Sequence, residues 1–104
     1  MIVRMASVQV PPERIDEVVD RYKELVRPVH QRSEGLRNHY FLVDRDSGQI
    51  RIIGLWDSPE ALQAALATLE PAREQLWEEF GEDPTLEAYE VADELRESAS
   101  AGAP

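Results

Sequence analysis

The 104-residue sequence contains no cysteine. Disulfide bonds, thiolate nucleophiles and cysteine-ligated metal sites are therefore excluded. No apolar run approaches the roughly 20 residues that cross a bilayer as a helix. The N-terminus also lacks the basic segment and the apolar core that are typical of a signal peptide. From these absences we expect a cytoplasmic location and no membrane partner.

Basic residues are scarce in the C-terminal part of the chain. Residues 70–97 carry eleven acidic side chains against two arginines, which accounts for most of the formal net charge of −10. Nucleic-acid binding depends on cationic side chains that neutralise phosphates, and anionic membrane surfaces attract basic segments in the same way. The charge balance therefore disfavours nucleic acid and membrane surfaces as partners, and a solvated acidic surface is the simplest interpretation.

Histidine is scarce too, because the sequence has only His30 and His39. Their spacing matches no strong metal pattern and no carboxylate cluster completes one, so we predict no metal site. A glycine-rich phosphate loop, a nucleophile elbow and a paired-carboxylate arrangement are also missing. NAD, ATP and hydrolase functions are therefore without support.

Alternating apolar residues predict four β-strands, at 2–10, 36–44, 49–56 and 85–92. The third strand, Gln49–Trp56, is apolar on both faces, since Ile52 and Trp56 lie on one face and Ile53 and Leu55 on the other. A strand of this kind needs apolar cover on both sides of its sheet.

The first two connections in the chain predict a helix and a hairpin loop. Pro12 suits a first helical turn, and apolar residues recur at three- and four-residue steps as far as Val29. Pro28 either ends this helix or kinks it, because proline lacks the amide donor. The loop between the second and third strands predicts a positive φ at Gly48.

The connection after the third strand predicts two helices. Ser58 is suited to cap the N-terminus of the first, with Pro59 at its first position. Pro71 marks a break, after which a second helix spans 72–80 and ends at Gly81.

The predicted order of elements is therefore β-α-β-β-α-α-β, an α+β chain. Right-handed crossovers place all helices on one face of a four-stranded antiparallel sheet, the ferredoxin-like arrangement. The opposite face stays uncovered and carries apolar side chains, among them Val3 and Met5. We therefore expect a homodimer in which the open sheet faces of two chains pack together. Residues 1–92 form the predicted single domain, and the polar residues 93–104 are expected to form a flexible tail.

The most specific motif is LWDSPEAL at residues 55–62, where the third strand runs into the following helix. A Glu-Gly pair precedes the second strand, and the last strand ends in Tyr-Glu-Val. In these features the chain resembles the antibiotic biosynthesis monooxygenase family of the dimeric α/β-barrel superfamily, over residues 1–92. The family includes cofactor-free quinol and polyketide monooxygenases, haem-degrading enzymes and proteins with no assigned role, so the fold does not settle the chemistry.

Three positions test the haem-degrading branch of that family. Its members use an asparagine on the first strand, a tryptophan on the helix after the third strand, and a histidine ligand further along the helical region. The matching positions here hold Ala6, Ala65 and Gln75, and no histidine follows His39. Haem degradation by the family mechanism is therefore not expected, and we predict no cofactor.

A cofactor-free oxygenase needs a base that deprotonates a phenol or hydroquinone, so that the electron-rich anion can react with dioxygen. Histidine has the unperturbed pKa that suits this task near neutrality. His39 is the candidate catalytic residue, and it lies within the second strand on the face assigned to Arg37 and Phe41. His30 lies near the end of the first helix. A surface or hydrogen-bonded structural role is the competing interpretation for both histidines.

Polar side chains within the strands are the first candidate ligand-binding residues. Arg4 and Arg51 are charges in apolar strands, and either can bind a substrate oxyanion. The favoured interpretation is that they pair with acids such as Glu87 or Glu90 across the sheet, or lie at the wet end of the barrel. Asn38 and Tyr40 share a strand face and can hydrogen-bond a polar aromatic ligand. Ordinary polar positions of a hairpin explain Asn38 and Tyr40 equally well.

Trp56 and Trp77 complete the candidate ligand-binding set, because both can line a flat apolar pocket. Core packing is the favoured interpretation of Trp56, and a half-exposed or interface position that of Trp77. Together with the resemblance, these residues favour a cofactor-independent monooxygenase of a small aromatic or quinol-type substrate. The alternative is a non-catalytic homodimer that binds a small ligand or has an accessory role.

Overall fold

A computed structural model describes residues 1–95 of the chain. Its elements are β1 (Ile2–Gln9), a 3-10 turn (Pro12–Arg14), α1 (Ile15–Leu25), α2 (Arg27–Arg32), β2 (Leu36–Asp44), β3 (Gln49–Trp56), α3 (Pro59–Phe80) and β4 (Thr85–Glu90). The division into a domain at 1–92 and a flexible tail at 93–104 stays a prediction, since most of that tail lies outside the described residues. None of the helices within residues 1–95 has the length and apolar character needed to cross a membrane.

The four strands form one antiparallel sheet in the order β2-β3-β1-β4. This confirms the predicted α+β class and the ferredoxin-like, four-stranded antiparallel sheet. The hydrophobic core lies between the helices and one face of the sheet, and the sheet contributes Ala6, Val8, Ile50, Ile52 and Trp56 to it.

β3 shows why the sheet needs cover on two sides. Ile50 and Trp56 are 0% and 1% exposed on the helix-covered face. Burial of side chains of this size contributes roughly 1.5–3 kcal/mol each to folding. Ile53 and Leu55 point to the other face, where they are only half-buried in the single chain.

The paired helices lie in the first connection, not in the one after β3. α1 ends at Leu25, and α2 begins at Arg27 with Pro28 in its first turn. Proline is tolerated there because the first amides of a helix have no intrahelical partner. The observed order is therefore β-α-α-β-β-α-β, and the predicted position of the helix pair was wrong.

α3 is one continuous helix of 22 residues that contains Pro71. The predicted break at this residue was wrong. Pro71 has no amide proton to donate to the carbonyl of Ala67, one turn earlier. Both residues lie on the exposed side of the helix, so water can bond that carbonyl and the helix continues. The predicted ends are confirmed: Ser58 Oγ accepts from the amide of Ala61 at 3.1 Å, and Gly81 ends the helix with a φ of 67°.

We expect Gly48→Ala to lower the free energy of unfolding by about 3 kcal/mol or more. Gly48 has the predicted positive φ, 83°, and an added Cβ would lie 1.8 Å from the carbonyl oxygen of Val10. Gly81→Ala is the matched control, because Gly81 also has positive φ but no atom lies within 4 Å of its Cβ position. We expect the control to lose only about 1–2 kcal/mol in denaturant unfolding. Equal losses in the two variants would contradict the steric explanation.

Candidate functional site

A cavity of about 520 Å³ lies between α3 and the helix-facing side of β1 and β4. Cavities of a few hundred Å³ are the usual size for small-molecule sites. Its polar lining includes Arg4, Tyr22, His30 and Arg73, and its apolar lining includes Val26, Ile52, Leu76 and Trp77. The cavity is therefore apolar in part, with a few polar groups that converge on it.

Three side chains from three different elements meet beside this cavity. Tyr22 of α1 places its hydroxyl 3.0 Å from Nδ1 of His30 in α2 and 3.0 Å from Nδ1 of His39 in β2. The centroids of the two imidazole rings are 3.9 Å apart. We call Tyr22, His30 and His39 the Tyr–His cluster.

The strands make room for the cluster. His39 lies opposite Gly54 in the pairing of β2 with β3. A Cβ at Gly54 would lie 3.7 Å from Cδ2 of His39 and 3.1 Å from Nε1 of Trp56. A register irregularity between Leu36 and Asn38 precedes His39 in the pairing. Arg37 is exposed there, and it borders a small cavity together with His39 and Phe41.

The hydrogen bonds fix how protons are distributed in the Tyr–His cluster. Tyr22 has one hydroxyl proton, so it can donate to only one of the two Nδ1 atoms, and the other imidazole must donate its Nδ1–H to the hydroxyl oxygen. One imidazole therefore has an unprotonated Nε2 and the other an Nε2–H. Both Nε2 atoms are buried, and neither has a hydrogen-bond partner among residues 1–95. The cluster thus has one free acceptor and one free donor.

Burial keeps all three groups of the cluster uncharged near neutral pH. Burial, then repulsion by His39 and Arg73, lowers the pKa of His30 to about 3. Burial followed by the charge of Arg73 lowers the pKa of His39 to about 4. Burial raises the pKa of the Tyr22 hydroxyl to about 12.

Two arginines and one glutamate form a second polar group on the same cavity. Arg4 Nη2 bonds Glu70 Oε1 at 2.8 Å, and Arg73 Nη1 bonds the same oxygen at 3.4 Å. Arg4 Nη1 is buried and has no hydrogen-bond partner in the described part of the chain. Burial, and then repulsion by Arg4, lower the pKa of Arg73 to about 10, which leaves it cationic at neutral pH. We call Arg4, Glu70 and Arg73 the arginine pair with its shared carboxylate.

The sign of the charges differs between the buried end of the cavity and its rim. The side chains of Arg4 and Arg73 are only 11% and 14% exposed. Glu74, Glu78 and Asp83 also line the cavity, and they are exposed. The buried end of the cavity is therefore positive and its rim is negative.

Three of the predicted site residues are in or next to this region. Arg4 lines the cavity, but it pairs with Glu70 of α3, which corrects the expected pairing with Glu87 or Glu90 of the neighbouring strand. Trp77 lines the cavity and is 4% exposed, so the half-exposed position expected for it was wrong. Trp56 is a core residue, and its buried Nε1 lacks a hydrogen-bond partner within residues 1–95.

The other predicted site residues are not brought to the large cavity. His39 and Asn38 border a second, smaller cavity of about 270 Å³ next to α2. Tyr40 and Arg51 are exposed, and the strand alternation directs them to the sheet face away from the helices. The structure therefore does not bring all the predicted residues together in one site.

Tyr22, Glu70 and Arg73 were missed by sequence reasoning. Tyr22 falls in the apolar stripe of α1, which by itself indicates a core position, although a buried tyrosine hydroxyl needs a partner. Arg73 falls on the same helical stripe as Leu69, Leu76 and Phe80, all of which are buried. A charge in an apolar stripe is the sequence signal that could have identified Arg73.

No group of three or more histidine, aspartate or glutamate side chains in residues 1–95 is arranged to hold a metal ion. The polar atoms without partners are instead nitrogen atoms of imidazole, guanidinium and indole groups. Such a set can bind and polarise an aromatic hydroxyl, since it combines a neutral acceptor with cationic donors.

Comparisons with known proteins identify the family of this chain. A family model described as antibiotic biosynthesis monooxygenase matches residues 1–82. An uncharacterised protein of Mycobacterium tuberculosis strain H37Rv is 32% identical over 98 residues, which are 94% of this chain and 44% of that protein. A second uncharacterised protein of the same strain is 25% identical over 89 residues, 86% of this chain and 38% of that protein. The chain therefore spans less than half the length of the curated relatives that it matches.

Solved structures share the fold. A candidate antibiotic biosynthesis monooxygenase from Deinococcus radiodurans has a TM-score of 0.75 at 16% identity, covering 92% of this chain and 97% of that one. SnoaB, a cofactor-independent oxygenase from Streptomyces nogalater, has a TM-score of 0.69 at 19% identity, covering 90% of this chain and 95% of that one. Likeness at these identities establishes the fold alone. With the family model matched over residues 1–82, the chain belongs to the antibiotic biosynthesis monooxygenase family.

Proposed function

We propose that this chain oxidises a small phenolic or quinol-type aromatic compound with dioxygen and without a bound cofactor. The observation that carries the proposal is the convergence on one cavity of His30, Arg4 and Arg73. Nε2 of His30 and Nη1 of Arg4 are both buried and lack partners within residues 1–95. A phenol that enters the cavity finds both an acceptor for its proton and cations for the resulting oxyanion.

In the proposed reaction, the phenolic hydroxyl gives its proton to Nε2 of His30. Arg4 and Arg73 stabilise the oxyanion, and the electron-rich ring then reacts with dioxygen. One oxygen atom bonds to a ring carbon, while the other leaves as water with the hydrogen of that carbon and the proton given up by the phenolic hydroxyl, so that the ring is oxidised to a quinone. Charge stabilisation of this kind is commonly the largest contribution to enzymatic rate acceleration.

The free-energy cost of moving the phenol proton to His30 explains why the site needs two arginines. Transfer of a proton from a phenol with a pKa of about 10 to an imidazole with a pKa of about 3 costs roughly 10 kcal/mol. A cation about 4 Å from the phenolate recovers roughly 4 kcal/mol at an effective dielectric constant of 20. Because Glu70 neutralises one of the two arginines, the net charge of +1 offsets roughly 4 kcal/mol of this cost, whereas a single arginine paired with Glu70 would offset almost none.

The charge arrangement favours a substrate that arrives uncharged. The acidic side chains at the rim repel anions, while the buried arginines stabilise a negative charge that forms inside. A neutral phenol meets both conditions, but an aromatic carboxylate is repelled before it reaches the arginines. We therefore expect quinols and polycyclic phenols to be better ligands than aromatic acids.

The low basicity of His30 favours one alternative, the non-catalytic binding of the same class of ligand. An imidazole whose pKa is about 3 accepts hydrogen bonds from a hydroxyl at neutral pH but takes up its proton only when the oxyanion is strongly stabilised. In that case the phenol would stay protonated in the cavity, and the chain would serve as a binding protein.

Dioxygen consumption tests the proposal against this alternative. We expect substrate-dependent oxygen uptake with at least one member of a panel of quinols and polycyclic phenols, and at least a tenfold loss in His30→Gln. Lys23→Ala, on the exposed side of α1, is the control and should keep full activity. Ligand binding without oxygen uptake would support the binding function instead. If no compound of the panel binds or causes oxygen uptake, both the oxygenase function and the binding function are overturned.

We further infer that two chains pair through the open sheet face. We define this face by Val3, Met5, Tyr40, Leu42, Ile53, Leu55 and Tyr89. Tyr40 and Tyr89 are 57% and 53% exposed in the single chain. An apolar surface of this extent is rarely left bare on a monomeric protein, and dimerisation would supply the second cover that β3 needs.

Ile53→Glu is expected to convert the dimer to a monomer. Ile53 lies at the centre of the open sheet face, paired with Met5 on one side and Tyr40 on the other. A glutamate there would be buried without a partner between two sheets, which is strongly unfavourable. Light scattering should give about twice 11.8 kDa for the wild type and 11.8 kDa for the variant. Leu95→Glu, at a 98% exposed position, is the control; a wild-type mass of 11.8 kDa would refute the pairing.

A further inference from the structure

The Tyr–His cluster lies between two separate cavities. Tyr22 and His30 line both the large cavity of about 520 Å³ and the smaller one of about 270 Å³. His39 lines only the smaller cavity. The smaller cavity is bordered by exposed polar side chains, including Gln31 and Asn38, so water has access to it. The cluster therefore lies between the cavity proposed to hold the substrate and a cavity that is open to water.

The hydrogen bonds inside the cluster are continuous. Nδ1 of His30 and Nδ1 of His39 each lie 3.0 Å from the hydroxyl oxygen of Tyr22. Each imidazole thus uses one nitrogen inside the chain of bonds and keeps the other, Nε2, at its end. Both terminal nitrogens are buried and lack partners among the described residues, as the ends of an incomplete hydrogen-bond chain would.

We propose that Tyr22, His30 and His39 form a proton relay, which takes up the substrate proton at Nε2 of His30 and releases a proton to water from Nε2 of His39. The identity of the proton donor rests on the proposed function. The connection between the two cavities rests on the geometry of the cluster alone.

The relay moves one proton without a change in the charge of any of its members. Before transfer, His30 donates its Nδ1–H to Tyr22, Tyr22 donates its hydroxyl proton to Nδ1 of His39, and His39 is protonated at Nε2. The substrate O–H bond breaks as its proton binds Nε2 of His30. The Nδ1 proton of His30 passes to the oxygen of Tyr22, the proton of Tyr22 passes to Nδ1 of His39, and the Nε2 proton of His39 passes to water.

The reaction itself resets the relay. After one transfer both imidazoles are in the opposite tautomer, with the Nε2 of His39 unprotonated. Dioxygen is the oxidant in the proposed reaction, and the oxygen atom that leaves as water needs a proton. A proton that returns from solvent through His39, Tyr22 and His30 to this oxygen restores both original tautomers. The cluster thus removes one proton early in the turnover and returns one late in it.

The neighbouring charges favour this concerted transfer over a stored imidazolium ion. Arg73 of α3 faces both imidazoles, and its charge lowers the pKa of each. Arg27 and Arg37 border the smaller cavity, and Arg4 and Glu70 border the larger one. The charge of Arg73 repels an extra positive charge on either ring, so a proton that enters at one end is released at the other.

NMR of the imidazole nitrogens in isotope-labelled protein tests the geometry without any turnover. We expect one histidine to be protonated at Nδ1 and the other at Nε2, and the difference between them to be lost in Tyr22→Phe. Two imidazoles in the same tautomer in the wild type would overturn the relay, whatever the activity of the protein.

The second experiment follows proton release when a nitrophenol probe binds, by stopped-flow with a pH indicator. We expect Tyr22→Phe and His39→Gln to slow proton release at least tenfold while His30, the proposed acceptor, is unchanged. Lys23→Ala, on the exposed side of α1 and outside the open sheet face, is the control and should release the proton at the wild-type rate. Unchanged release rates in both relay variants would overturn the proposal. A protein that passes these tests and consumes no oxygen would refute the proposed function alone.

Discussion

Lowering the pH from 6.5 to 4 is expected to remove about 3 kcal/mol of folding stability for each of the two histidines of the Tyr–His cluster. Their pKa values in the folded protein are about 3 for His30 and about 4 for His39, both below the ordinary value of 6.5. As the pH falls through 6.5, the unfolded chain takes up two protons that the folded chain excludes. Stability is therefore lost between pH 6.5 and the folded-state pKa values, and it is unaffected by these residues above pH 6.5.

Chemical denaturation at a series of pH values and a fixed protein concentration measures this loss. Carboxylates also titrate in the range, and their protonation relieves repulsion within a chain of net charge −10. The variant His39→Gln separates the two effects, because glutamine can still bond Tyr22 but does not titrate. We expect the stability difference between the wild type and this variant to change by about 3 kcal/mol over the range. Parallel pH profiles would show that His39 is already protonated or solvated in the folded protein.

Replacing Arg73 with methionine is expected to lower kcat/KM for a phenolic substrate by about 10²–10³-fold. Methionine keeps most of the volume of the side chain and removes its charge from the cavity. The loss corresponds to about 3–4 kcal/mol of stabilisation of the developing oxyanion. The same substitution should raise the pKa of both histidines, since the charge of Arg73 lowers them. The acid sensitivity of the variant should therefore be smaller.

Arg21→Met is the matched control for this substitution. Arg21 is a surface residue of α1 that bonds Glu79 at 2.9 Å and Glu24 at 2.8 Å, and it does not line the large cavity. Exposed ion pairs of this kind contribute about 0–1 kcal/mol. Steady-state oxygen uptake should therefore be unchanged in Arg21→Met. Equal activity in the two variants would remove Arg73 from the proposed mechanism.

The strands were predictable because their signal is local. β2 and β3 have the predicted bounds, while β1 ends at Gln9 instead of at position 10 and β4 at Glu90 instead of at position 92. The prolines were harder to interpret, because their effect depends on what surrounds them. Pro28 and Pro71 lie in similar apolar repeats, yet the helix breaks near Pro28 and continues through Pro71. The sequence does not specify whether water can reach the carbonyl that each proline leaves without a donor.

The site was less predictable because its contacts join distant parts of the chain. Arg4 and Glu70 are 66 residues apart in sequence, and Tyr22 and His39 are 17 apart. The expected partners of Arg4 were acids on a neighbouring strand, but a side chain from α3 reaches it across the cavity. Residue type pointed to His39 and Arg4, whereas their connection through Tyr22 and Glu70 required the three-dimensional arrangement.

The most direct test of the central claim, that the cavity binds and ionises a phenol, is the absorption spectrum of a bound nitrophenol. The spectrum is recorded with the wild type, Arg73→Met and Arg21→Met, at a pH well below the pKa of the free probe. We expect the phenolate band to appear on binding to the wild type and to Arg21→Met and to be absent in Arg73→Met. A probe that binds the wild type without a phenolate band, or with a band that Arg73→Met retains, would contradict the account.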